Sequence, residues 1–80
     1  MTRLLELEPG REAQIERLEV EGDEGGLLRA MGLLEGQVVR VLRRAPLGGP
    51  LQVRVGEACF ALGRSLAAQV HVGAVGGERP

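Results

Sequence analysis

Eighty residues are enough for one domain and too few for two. Apolar residues make up 44% and charged residues 26%, ordinary globular usage that excludes a disordered chain. Unbroken apolar runs are only a few residues long, so a membrane span of about 20 residues is excluded as well. The formal net charge of −1 argues against a nucleic-acid binder that relies on bulk positive charge.

The N-terminal stretch lacks the basic end and apolar run of a signal peptide, so secretion by that route is not expected. Cys59 is the lone cysteine and cannot form an intramolecular disulfide, which fits a reducing, cytoplasmic setting. One cysteine, one histidine and one aspartate are too few for a four-ligand zinc site. All ten basic residues are arginine, and Phe60 is the lone aromatic. Stacking platforms for single-stranded nucleic acid need several aromatics.

In chain order, Leu4 to Glu8 reads as a short extended lead-in, and Pro9-Gly10 as a turn. In the stretch from Glu12 to Val20, Ala13 and Ile15 alternate with polar residues, as in a half-buried strand. Leu18 and Val20 continue on the opposite parity, so a β-bulge is expected near Arg17. An acidic, glycine-containing connection follows, in which Asp23 is placed to cap a short helix carrying Leu27, Leu28 and Met31. Gly32 fits the left-handed stop position. Gln37 to Arg43 and Leu51 to Val55 read as strands joined by the turn Ala45 to Pro50. Gly56-Glu57 suits a tight hairpin into Ala58 to Leu62. Leu66 to Ala68 forms at most one helical turn, and Gln69 to Val72 is a last strand with Val70 and Val72 inward.

About five short strands and one or two short helices predict an all-β domain, most economically a small closed barrel. Residues 1–75 are expected to form this single domain, with 76–80 as a flexible tail.

Two segments resemble the ferrous-iron-transport protein A (FeoA) family: Leu28-Arg29-Ala30-Met31-Gly32-Leu33-Leu34-Glu35-Gly36 and Arg44-Ala45-Pro46-Leu47-Gly48-Gly49-Pro50. The ending Ala68-Gln69-Val70-His71-Val72 is similar to the family's closing strand, and the likeness runs from about Leu4 to Val75. The resemblance implies an SH3-like β-barrel, and an accessory protein beside a membrane ferrous-iron permease with a cytoplasmic GTPase domain. It implies a cytoplasmic protein, held at the membrane's inner face only through that partner. The chain departs from the family at Leu27, where a basic residue is common, and at Glu35, where proline is common.

Candidate contact residues follow from the pattern. Pro46, Leu47 and Gly48 form either a binding tip or an ordinary hairpin connection, and Leu47 is an apolar side chain at an expected tip. Leu27, Leu28 and Met31 either present an apolar patch or lie on the barrel, with Leu27 the one expected outside. Arg40, Arg43, Arg44, Arg54 and Arg64 form either a basic surface for an acidic partner or a solvated face paired with glutamates. Arg44, Leu47 and Leu27 are the residues expected to carry the contact. Cys59 is expected to be a buried, inert thiol and His71 an exposed residue. His71 as a ferrous-iron ligand would need Glu57 or Glu78, and the spacing shows no such cluster; no cofactor is expected. No catalytic constellation or phosphate loop is present in the sequence, so an enzyme is not expected. Two other readings stay open: a regulatory domain acting on a metal-dependent repressor, and a small nucleic-acid-binding barrel. A homodimer is compatible with exposed strand edges.

Overall fold

Alternating apolar residues build the sheet, and two phase slips bend it. The computed structural model describes residues 2–75. The elements are β1 (Thr2–Arg3), a 3₁₀ turn (Leu4–Glu6), β2 (Glu12–Leu18), α1 (Gly22–Ala30), β3 (Val38–Arg44), β4 (Leu51–Val55), β5 (Ala58–Leu62), α2 (Arg64–Ala67) and β6 (Val70–Gly73). All pairings are antiparallel, in the order β1-β6-β2-β3-β4-β5. The fold is therefore mostly β, as expected, with six strands rather than about five. The ladder does not close: β1 and β5 are its two edges. The Leu4–Glu6 turn and α2 lie against each other and bridge the sheet's ends. The extended lead-in expected over Leu4 to Glu8 is not found: the extended residues are Thr2–Arg3, and Leu4–Glu6 forms a 3₁₀ turn because Leu4 turns inward and is fully buried. The tail expected at 76–80 lies outside the described residues.

Inward positions form one core, with Ile15, Val39, Val41, Leu51, Val53, Val70 and Val72 almost wholly buried. The bulge expected near Arg17 is present: Ile15 pairs with Val72 and Arg17 with His71, leaving Glu16 unmatched. Leu18 thereby returns to the core. A second bulge was not legible. Val41 pairs with Val53, but Arg43 pairs with Gln52, so Leu42 is the extra residue and stands exposed.

Helix α1 starts one residue before Asp23, so the expected cap falls inside the first turn. Glu21 holds the cap position without a side-chain hydrogen bond, and Asp23 and Glu24 sit where a helix N-terminus favours negative charge. Gly25 is buried because α1 passes close to the preceding chain: a Cβ there would lie 2.6 Å from the Val20 carbonyl oxygen. Gly32 ends the helix with φ +102°. Its N–H donates to Arg29 O and that of Leu33 to Leu28 O, each at 3.0 Å, and both Leu28 and Leu33 are buried, which makes a Schellman stop.

Candidate functional site

The β3–β4 connection is a two-residue turn on a four-residue frame. The Ala45 N–H donates to Pro50 O and the Gly49 N–H to Pro46 O, both at 3.1 Å. Leu47 at φ +59° and Gly48 at φ +76° occupy the two central positions, the pattern of a type I′ turn. Glycine, asparagine and aspartate dominate such positions, since a left-handed conformation costs an ordinary L-residue about 1–2 kcal/mol. Leu47 is nonetheless there, 103% exposed. An apolar side chain is held at the tip of a strained turn with nothing to bury it.

The other expected contact residues divide. Leu27 is 58% exposed and Met31 half-buried, but Leu28 is 1% exposed and belongs to the core. Adjacent residues on a helix differ by about 100° of rotation, so only one leucine of the pair can face outward. Leu28 is thus corrected from contact residue to core residue. Arg44 has a structural role beside the expected one. The bulge at Leu42 flips the parity of the strand's end, so Arg44 pairs with the inward Leu51. Its guanidinium donates to Leu5 O at 2.7 Å and Leu7 O at 2.6 Å. It clamps the 3₁₀ turn to β3 while remaining exposed.

The helix end and the turn do not form one patch. The turn leads into β4 at Leu51, whereas the Gly32 stop faces Val55 at the strand's other end, with a Cβ built there 3.8 Å from the Val55 Cγ1. Four residues of strand separate them by about 13 Å.

Of the expected arginine surface, Arg40, Arg44, Arg54 and Arg64 each have contacts within the chain. Arg40 and Arg54 are directly paired across β3 and β4, as expected of outward neighbours. Arg40 meets Glu12 Oε2 and Gly10 O, both at 3.3 Å, and the Arg54 Nε donates to Gly56 O at 3.0 Å. With Val38 and Leu42 they line a shallow groove of about 570 Å³. Glu12 was not singled out from the sequence, because its place beside Arg40 depends on the β2–β3 register. Arg64 lies against Gly48 at the turn.

Two further expectations are reversed. Cys59 is exposed, since it pairs with the outward Arg54 on the sheet's outer side. His71 is only 7% exposed, because β6 is flanked by β1 and β2 and the ring lies between Arg3 and Arg17. Its Nε2 stands 2.9 Å from Glu19 Oε2. That imidazole holds the Glu19 carboxyl below the usual carboxylate range; partial desolvation opposes the effect, and Arg17 and Arg3 add to it. Among the described residues, no group of three His, Cys, Asp or Glu side chains is placed to hold a metal ion. No described helix is long and apolar enough to cross a membrane.

Comparison with known proteins adds the family. Residues 2–74 match the FeoA domain model. Iron(II) transport protein A from Clostridium thermocellum is 36% identical, with a TM-score of 0.87 over 95% of this chain and 47% of that one. This chain therefore spans about half the length of the Clostridium protein. The zinc-complexed FeoA of Stenotrophomonas maltophilia is 32% identical, with a TM-score of 0.76 over 90% of this chain and 89% of that one. It is described as an SH3 domain protein and a candidate activating factor for ferrous iron transport. A manganese-dependent transcriptional repressor matches at a TM-score of 0.83 over 91% of this chain and 41% of its own, but at 20% identity it shares the fold alone. No functionally curated protein matches the chain. The match over residues 2–74, the SH3-like character of its relatives and the two segments around Gly32 and Leu47 agree: the chain belongs to the FeoA family.

Proposed function

We propose that this chain is a cytoplasmic accessory protein of ferrous iron uptake that docks onto a membrane ferrous-iron permease with a cytoplasmic GTPase domain and modulates it. The observation that carries the reading is Leu47, fully exposed and left-handed at the tip of the β3–β4 turn. Strain of this kind persists where the surrounding structure over-determines it, and such residues cluster at binding sites. Burying the leucine side chain in a partner's apolar pocket stabilises the complex by about 2 kcal/mol. The role is one of binding, with no catalytic step assigned to any residue of the chain. Leu27, exposed on α1, is a second apolar contact on the same partner or on a different element of it.

The test is a pull-down from membranes and cytosol of iron-limited cells with the tagged full chain and its Leu47→Asp variant. Capture of a large membrane protein with permease and GTPase regions, lost in the variant, supports both the partner and the turn. Capture that survives the substitution moves the interface to Leu27. Recovery of a soluble DNA-binding regulator, or of nothing from the membranes, overturns the reading.

A further inference from the structure

The two edges of the sheet are unlike. β1 contributes two residues, and shortness is one of the ways natural sheets blunt an edge. β5 contributes five, Ala58-Cys59-Phe60-Ala61-Leu62, with neither a charge nor a proline. Among the described residues its backbone pairs only with β4. Ala58, Cys59 and Ala61 are exposed and Phe60 is half-buried. Such an edge presents alternate N–H and C=O groups to a further strand.

We propose that β5 is a dimerisation edge, pairing antiparallel with β5 of a second copy about a two-fold axis at Phe60 and joining two six-stranded sheets into one. A two-fold sets a strand against its own reverse, so the strand must be complementary to itself. β5 meets this condition in three ways. It carries no charge, so no like charges meet at the axis. Its outward side chains are small, and Cys59 falls opposite Ala61 of the second copy without crowding. Its flanks carry opposite charges: Glu57 precedes it and Arg64 follows it. In the register centred on Phe60, Glu57 lies opposite Gly63 of the second copy, one residue from Arg64, whose guanidinium rests against Gly48 in the free chain and turns toward the acid on pairing, and the same approach recurs at the other end. Neither Glu57 nor Arg64 has an ion-pair partner among the described residues. A foreign strand would have no reason to match this arrangement of one acid, five uncharged residues and one base. The exposed part of Phe60 is covered by its own symmetry mate, an aromatic pair at the centre of the new ladder. The dimer edge does not depend on the proposed role at the permease.

The decisive experiment is sedimentation equilibrium of the full chain under reducing conditions, from micromolar to millimolar concentration. The expected result is a reversible monomer–dimer equilibrium. Ala61→Lys, at an exposed position, sets two lysines near the axis and should weaken the dimer roughly tenfold. Glu57→Arg should also weaken it, and the charge exchange Glu57→Arg with Arg64→Glu should restore it. Ala61→Cys should crosslink on mild oxidation to Cys59 of the second copy, at both symmetric positions. A chain that stays monomeric at millimolar concentration overturns the proposal. So does a dimer indifferent to Ala61→Lys and to the charge exchange, which would place the contact on another surface. Circular dichroism melts of each variant separate a lost contact from a lost fold.

Discussion

Leu47→Asn should make the protein more stable and a poorer binder. Leu47 sits at φ +59°, where a leucine pays about 1–2 kcal/mol and an asparagine far less, because its short side chain bonds locally to the backbone. At 103% exposure the leucine contributes no burial to the free protein, so nothing offsets the relief. The expected gain is ~1 kcal/mol, which for a domain of this size raises Tm by about 4–8 °C. Leu47→Gly removes the same strain but loosens the unfolded chain by roughly 0.5–1 kcal/mol, so its Tm should fall between those of the leucine and asparagine forms. Leu47→Val, branched at Cβ, should lie below the wild type. Thermal melts followed by circular dichroism, with urea titration as a check on the slope, measure this series. A Tm that is unchanged or lower in Leu47→Asn would refute the reasoning, because it would mean that the turn is not left-handed at Leu47 or that the side chain is buried in solution. The same variant should capture less partner. A substitution that raises stability and lowers binding identifies a residue kept for contact rather than for folding.

Three further predictions concern the scaffold. Gly26→Ala, with open space around the added methyl, should stabilise α1 by about 0.5–1 kcal/mol, whereas Gly25→Ala, which drives a Cβ to 2.6 Å from Val20 O, should destabilise the protein by about 1–3 kcal/mol; paired denaturant titrations measure the contrast. Arg44→Ala should cost about 1 kcal/mol by freeing the Leu5 and Leu7 carbonyls, while partner capture by the folded fraction stays unchanged. Glu19 has a folded pKa below its unfolded value, so its contribution is fully present above the unfolded carboxylate pKa and is lost as pH falls through the depressed one. Stability measured against pH should therefore drop on the acid side, and Glu19→Gln should flatten that limb; an acid limb identical in the two proteins would remove Glu19 as its cause.

The strands were legible because their inward faces are alternating valine, leucine and isoleucine, and burial rewards that period directly. The bulge in β2 was legible for the same reason: apolar residues lie on both sides of the slip, at Ile15 and Leu18, and both reach the core only with an extra residue between them. The bulge in β3 leaves no such trace. Val39 and Val41 mark the phase before it, but the residues after it are Arg43 and Arg44, and arginine reads as outward on either parity. The turn was visible through its glycines and prolines, but its left-handed leucine was not, since leucine carries no signal for positive φ. His71 was misread because alternation predicts which side of a strand a residue takes, not whether neighbouring arginines and a glutamate cover that side.

The candidate contact residues can be sorted by what each does for the free protein. Leu28 fills the core and Arg44 ties the first turn to the sheet, so selection for folding alone accounts for both. Leu27 is tolerated: an exposed leucine in a helix costs little and contributes little. Leu47 opposes folding, since its backbone is strained and its side chain buries nothing. A residue that lowers the stability of an 80-residue domain draws on a small reserve, because such a domain buries roughly 60% of its unfolded surface and has few kilocalories to spare. The residue that the fold would most readily exchange is therefore the one to which the proposed docking assigns the contact.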